Sequence, residues 1–196
     1  MTAPATAFDY PATITVDPLA QQSRLSILVR LILAIPHSIV LYALGIAANV
    51  ISIIAWFVIL FTGKYPAGLY SFTLGYFRWS TRYAGYVWLL TDKYPPFALD
   101  EFPEYPVRAA VVENLDGRNR LTTAFRFILV IPHFIVLAFL FIAANIIAIA
   151  AWVVGLIKGE LPYGFHNFLG GWVRWMARVQ AYILFLTDEY PPFSLN

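Results

Sequence analysis

Residues 36–61 read PHSIVLYALGIAANVISIIAWFVILF, and residues 132–157 read PHFIVLAFLFIAANIIAIAAWVVGLI. Neither stretch contains Asp, Glu, Lys or Arg, and each is long enough for one passage through a hydrocarbon layer about 30 Å thick. The two are copies, offset by 96 positions, and the offset holds without a gap from residues 24–100 to residues 120–196. Arg24, Arg30, Asn49, Trp56, Gly63, Arg78, Trp79, Arg82 and Asp92 are answered by Arg120, Arg126, Asn145, Trp152, Gly159, Arg174, Trp175, Arg178 and Asp188. This is a tandem duplication.

Composition sets the class. The chain is 60% hydrophobic and 12% charged, against about 45–50% and about 25% in soluble domains. With 196 residues it has too little interior to hide that apolar surface. Aromatics, at 17%, cluster near segment ends as in interfacial belts. The expectation is an all-α integral membrane protein. With no cysteine, thiolate metal sites and cysteine nucleophiles are excluded, and a net charge of +2 gives no footprint for nucleic acid. The first 24 residues lack a basic head and apolar stretch, so insertion is expected to rely on the helices themselves.

Outward from the apolar stretches, three units are expected: an extended N-terminal segment (1–23), repeat 1 (24–104) and repeat 2 (105–196). Residues 10–17 and 105–113 alternate like short strands that could pair outside the membrane, provided a surface supports them. Ser23 or Asn119 then caps a helix that bends at Pro36 or Pro132. Gly63 and Gly159, each followed by Pro three residues on, read as a stop and restart. Second helices follow over residues 67–91 and 163–187. Each carries two arginines four apart, which are costly at mid-membrane but tolerable near an interface. Only Lys64 and Lys158 of thirteen basic residues would lie at the far turns of two parallel hairpins. The positive-inside rule therefore predicts four crossings, multi-pass in the cell membrane, with both termini cytoplasmic. The rival is one crossing per copy with the second helix in the interface.

These residues resemble a family of bacterial membrane proteins known only as a domain of unknown function, numbered 4389. The resemblance rests on Ile-Pro-His at 35–37 and 131–133, Trp56 and Trp152 before Gly63–Pro66 and 159–162, Arg-Trp-x-x-Arg at 78–82 and 174–178, and Thr-Asp-x-Tyr-Pro-Pro-Phe at 91–97 and 187–193. Glu160 departs from the basic turn residue of that pattern. The resemblance implies a membrane location and supplies no activity.

The candidate sites are weighed on chemistry. His37 and His133, one per copy, would suit a haem or tetrapyrrole clasp, although a His beside a helical Pro more often serves the backbone. His166 has Tyr70 as its counterpart, so no symmetric metal site is expected. Asn49 and Asn145 are expected as buried polar packing, bonded to each other or lining a path. Arg78, Arg82, Trp79 and Arg174, Arg178, Trp175 are the candidate lipid- or partner-binding set, with anionic headgroups as ligand. Asp92 and Asp188 stand without nucleophile or phosphate loop, so no enzyme activity and no cofactor are expected. The leading expectation is a non-enzymatic accessory or scaffold subunit that packs against a larger membrane complex and contacts anionic lipid. A small-solute or lipid transporter using the arginine pairs is the first alternative, and a pigment carrier through His37 and His133 the second.

Overall fold

The computed structural model describes residues 10–18 and 21–196, so residues 1–9 and 19–20 of the expected N-terminal segment lie outside the described residues. The order is β1 (Ala12–Val16), α1 (Arg24–Thr62), α2 (Ala67–Val87), β2 (Val107–Val111), α3 (Arg120–Leu129), α4 (Ile131–Lys158) and α5 (Tyr163–Ile183). α1 runs unbroken through Pro36, whereas its counterpart divides at Val130. Proline removes a bond within the helix, and each bend is braced from outside. The Tyr94 hydroxyl donates to Leu33 O and the Tyr190 hydroxyl to Leu129 O, both at 3.0 Å. Asn119 caps α3 through Leu121 and Thr122 N–H, while Ser23 makes no side-chain cap bond.

Gly63 and Gly159 adopt the left-handed conformation (φ 71° and 75°) that the stop signals require. The second helices end four residues sooner than expected. Leu89 and Phe185, at φ 62° and 61°, take the left-handed position themselves, and Leu90 N–H and Leu186 N–H close back on Gly85 O and Ala181 O. That conformation costs a branched or bulky residue about 1–2 kcal/mol. Full burial of both side chains offsets it.

Each repeat is a hairpin, with α2 folded back on α1 and α5 on α4. The hairpins are antiparallel to each other, which corrects the parallel arrangement expected from charge. Trp56 Nε1 donates to Thr123 O and Trp152 Nε1 to Ile27 O, both at 3.0 Å, so α1 and α3–α4 run in opposite directions. The first turn also lies against the start of the second repeat: Tyr65 N–H donates to Leu115 O and Arg118 N–H to Gly63 O. Lys64, placed at a far turn by the charge count, is therefore at the same end as Arg118 and Arg120 and pairs with Asp116 at 3.3 Å. The premise of that count is gone.

Among the described residues two helical stretches are long and apolar enough to cross a membrane, Arg24–Thr62 and Arg120–Lys158. The second helices are not, and they pass through the protein interior. One side of the α2–α5 pair meets α1 and α3–α4. On the other side, β2 lies on α2 and β1 on α5. The strands pair antiparallel with Ile14 opposite Ala109 at their centre. Ala12, Ile14, Val107 and Ala109 point inward, while Thr13, Thr15 and Ala110 face out. The ribbon thus has the supporting surface that two strands need.

Candidate functional site

The two fully buried arginines organise each repeat. Arg30 and Arg126, 1% and 0% exposed, reach from α1 and α3 to the end of the partner helix. Arg126 Nη1 donates to Tyr182 O and Thr187 O at 2.6 and 2.9 Å, and Nη2 to Asp188 Oδ1 at 2.8 Å. Arg30 repeats this set on Tyr86 O, Thr91 O and Asp92 Oδ1. The guanidinium thereby meets carbonyls at a helix C-terminus, where positive charge is favoured. Asp188 also takes Arg118 Nη2 at 2.7 Å and Asn119 N–H at 3.0 Å, whereas Asp92 takes Ser23 N–H at 3.0 Å and has no second arginine. Gln22 stands at the position matching Arg118 and donates to Leu89 O at 2.7 Å. Burial alone would raise the Asp188 carboxyl, but the hydrogen bond and charge of Arg118, with Asn119 N–H and Arg126, hold it below the ordinary carboxylate value.

The expected lipid-binding arginines are spent on the chain's own tails. Arg82 donates to Asp100 O at 2.8 Å and to Ala98 O. Arg178 donates to Asn196 O at 2.6 Å and to Ser194 O. Arg78 pairs with Glu101 at 2.6 Å, and Arg174 Nη2 donates to Leu195 O at 3.1 Å. Neither Asp92 nor Asp188 serves them. They clamp the extended segment after each second helix against that helix, where glycine leaves room. A Cβ on Gly75 would stand 2.7 Å from Leu99 Cβ, and one on Gly171 2.6 Å from Leu195 O. A cavity of about 180 Å³ remains between Arg78, Arg82, Glu101, Arg108 and the ribbon.

Trp79 and Trp175 are buried, not interfacial. Their Nε1 donates to His37 Nδ1 and His133 Nδ1, both at 3.0 Å, which places the histidine proton on Nε2. His37 stacks on Phe97 at 3.7 Å and His133 on Phe193 at 3.9 Å. Each ring is enclosed by its own repeat and 0% exposed. The tetrapyrrole clasp therefore has no shared face to form on. Asn49 and Asn145 do not meet either: Nδ2 of each donates to a carbonyl four residues back, Gly45 O at 2.8 Å and Phe141 O at 2.7 Å. That is the local bonding a polar residue adopts inside an apolar helix. Asn145 also lines an apolar cavity of about 390 Å³ between α1 and α4, with Leu31, Trp88, Ile149 and Trp152.

Sequence reasoning paired Arg30 with Arg126 through the duplication and missed their inward role. The signal was available, because each repeats with a Thr-Asp pair at a fixed distance: 91–92 and 187–188.

Fold and bonding define a duplicated helical-hairpin protein, built on reciprocal contacts between its halves and carrying an exposed apolar layer. The chain matches the family described as Domain of unknown function (DUF4389) over residues 24–98 and 120–194, and it belongs to that family. No curated protein and no solved structure matches it significantly.

Proposed function

We propose that the protein is a non-enzymatic, membrane-embedded scaffold: an accessory component that holds its place through lipid and offers its polar face to a larger membrane complex. One observation carries this reading. Large apolar side chains stay exposed along both long helices, from Leu25 to Phe61 and from Leu121 to Ile157, while Arg30, His37, Arg126 and His133 are turned inward to fasten the chain. Exposed apolar area of that extent marks a surface that meets lipid or another protein. Anionic headgroups meet the exposed basic residues at the two ends, Arg24 with Lys158 and Arg120 with Lys64. The apolar cavity beside Leu31 and Ile149 opens on this same layer and suits an acyl chain. The strands and tails lie on the side of the protein away from the apolar layer in this reading. Purification in mild detergent tests it. A companion membrane protein at fixed stoichiometry, with phospholipid retained, is the expected result. A lipid-free monomer with no companion overturns it.

A further inference from the structure

We propose that the protein occupies a single leaflet, with its long helices lying in the membrane plane and its pseudo-two-fold axis along the membrane normal. The inference rests on the membrane reading above and replaces crossing with in-plane burial.

Length is the first argument. The exposed apolar stripe of α1 runs from Leu25 to Phe61, which is about 54 Å at 1.5 Å per residue. The hydrocarbon is about 30 Å thick, so an upright α1 would have to tilt by about 56° to keep the stripe in lipid, beyond the 0–40° range of spanning helices. The stripe does not fade at its ends: Leu25 and Phe61 are 68% and 73% exposed, and Tyr42 at the middle is 74% exposed. α3–α4 carries the same stripe from Leu121 to Ile157.

The ribbon is the second, independent argument. The Trp56–Thr123 and Trp152–Ile27 bonds put the pseudo-two-fold axis near the middle of both long helices. The strands β1 and β2 correspond at an offset of 95, one less than the helices, with Tyr10-Pro11 answering Tyr105-Pro106; their central pair, Ile14–Ala109, is therefore its own symmetry mate, and the same axis passes through the ribbon. An upright molecule would therefore hold a two-stranded sheet, with both outer edges unpaired, at mid-bilayer depth. The Asp17–Arg108 pair (2.8 Å) and the half-exposed Glu101 would sit there as well. Open sheet edges do not occur in the hydrocarbon region, because their N–H and C=O groups have no partner there. Turning the axis to the membrane normal removes the conflict. The apolar layer, one helix deep at about 10 Å, then fits within one leaflet of about 15 Å of hydrocarbon, and the α2–α5 layer and ribbon rise into water.

The border between these layers points the same way. The half-exposed rings of Tyr94, Phe97, Tyr190 and Phe193 flank α1 and α3–α4 there, as aromatic residues do at the headgroup level.

The chain contains no cysteine, so a single introduced thiol reports one position. Lys64→Cys and Lys158→Cys mark the two ends, Ala110→Cys the outer face of the ribbon, and Ile46→Cys the apolar layer. All four sites are exposed, so the substitutions spare the core. Full-length variants are labelled with a membrane-impermeant maleimide in spheroplasts and in inverted vesicles after an alkaline carbonate wash. The expected result is full labelling of Cys variants at 64, 158 and 110 from one and the same compartment, protection of all three from the other, and labelling at 46 only in detergent. Labelling at 64 and 158 from opposite compartments would establish upright antiparallel hairpins and overturn the proposal while leaving the membrane reading intact. Labelling at 64 and 158 from one side and 110 from the other would do the same for parallel hairpins. A chain released by the wash overturns both readings.

Discussion

Substituting Asp188→Asn should destabilise the protein far more than the equivalent Asp92→Asn, although the two residues occupy matching positions in the duplication. Asp188 accepts from two arginines, Arg118 at 2.7 Å and Arg126 at 2.8 Å, whose side chains are both 0% exposed; its own side chain is 16% exposed. The amide leaves two buried guanidinium groups without a counter-charge. Breaking a buried pair from one side costs about 3–5 kcal/mol. Asp92 holds Arg30 alone, at 3.1 Å, and is 27% exposed. Its replacement gives up one charge-assisted hydrogen bond and leaves a single buried guanidinium, still held by Tyr86 O and Thr91 O, at a cost of about 1.5–3 kcal/mol. At about 2–4 °C per kcal/mol for a chain of this size, the Asp188 variant should melt roughly 6–20 °C lower. Unfolding in detergent, followed by fluorescence of the six tryptophans, reads both variants. The acid limb is a second readout. Because the Asp188 pKa is held down in the fold, its contribution is complete above the unfolded carboxylate value of about 3.9 and is lost as pH falls through the lower folded value. The gap between wild type and Asp188→Asn should therefore narrow below about pH 4. Equal losses for the two substitutions, or a gap independent of acid, would refute this account.

Gly75→Ala should cost about 1–3 kcal/mol by forcing the tail off α2. Limited proteolysis should then cut near residues 98–104, while Gly68→Ala, with open space around it, stays at or above wild-type stability. Trp56→Phe and Trp152→Phe each remove one reciprocal bond between the repeats, and each should lower stability by about 1 kcal/mol in the same denaturation experiment. A loss confined to one of them would contradict the symmetry. Arg82→Lys keeps the charge but gives up the two-pronged grip on Ala98 O and Asp100 O. Protease sensitivity of the 98–104 segment should rise while retention on anionic vesicles stays unchanged; the reverse pattern would restore the direct lipid role expected for this arginine.

Local chemistry and repetition were legible in the chain itself. The duplication, the apolar length of the first helices, the glycine stops at 63 and 159, and strands within residues 10–17 and 105–113 follow from period, composition and turn residues. Each of these depends on neighbours along the chain. What only the tertiary structure decided is how the two copies face each other and where the polar groups point. A tandem repeat is equally compatible with parallel and antiparallel hairpins, because the linker at 99–119 sets no direction by composition. The direction came from contacts far apart in sequence: Trp56 on Thr123, Trp152 on Ile27, and the Gly63 turn on Arg118. The roles of Arg78, Arg82, Arg174 and Arg178 likewise depended on tails that fold back 16 to 23 residues later. A guanidinium on a helix looks the same in sequence whether a phosphate or a backbone carbonyl completes it, and the fold supplied the carbonyl.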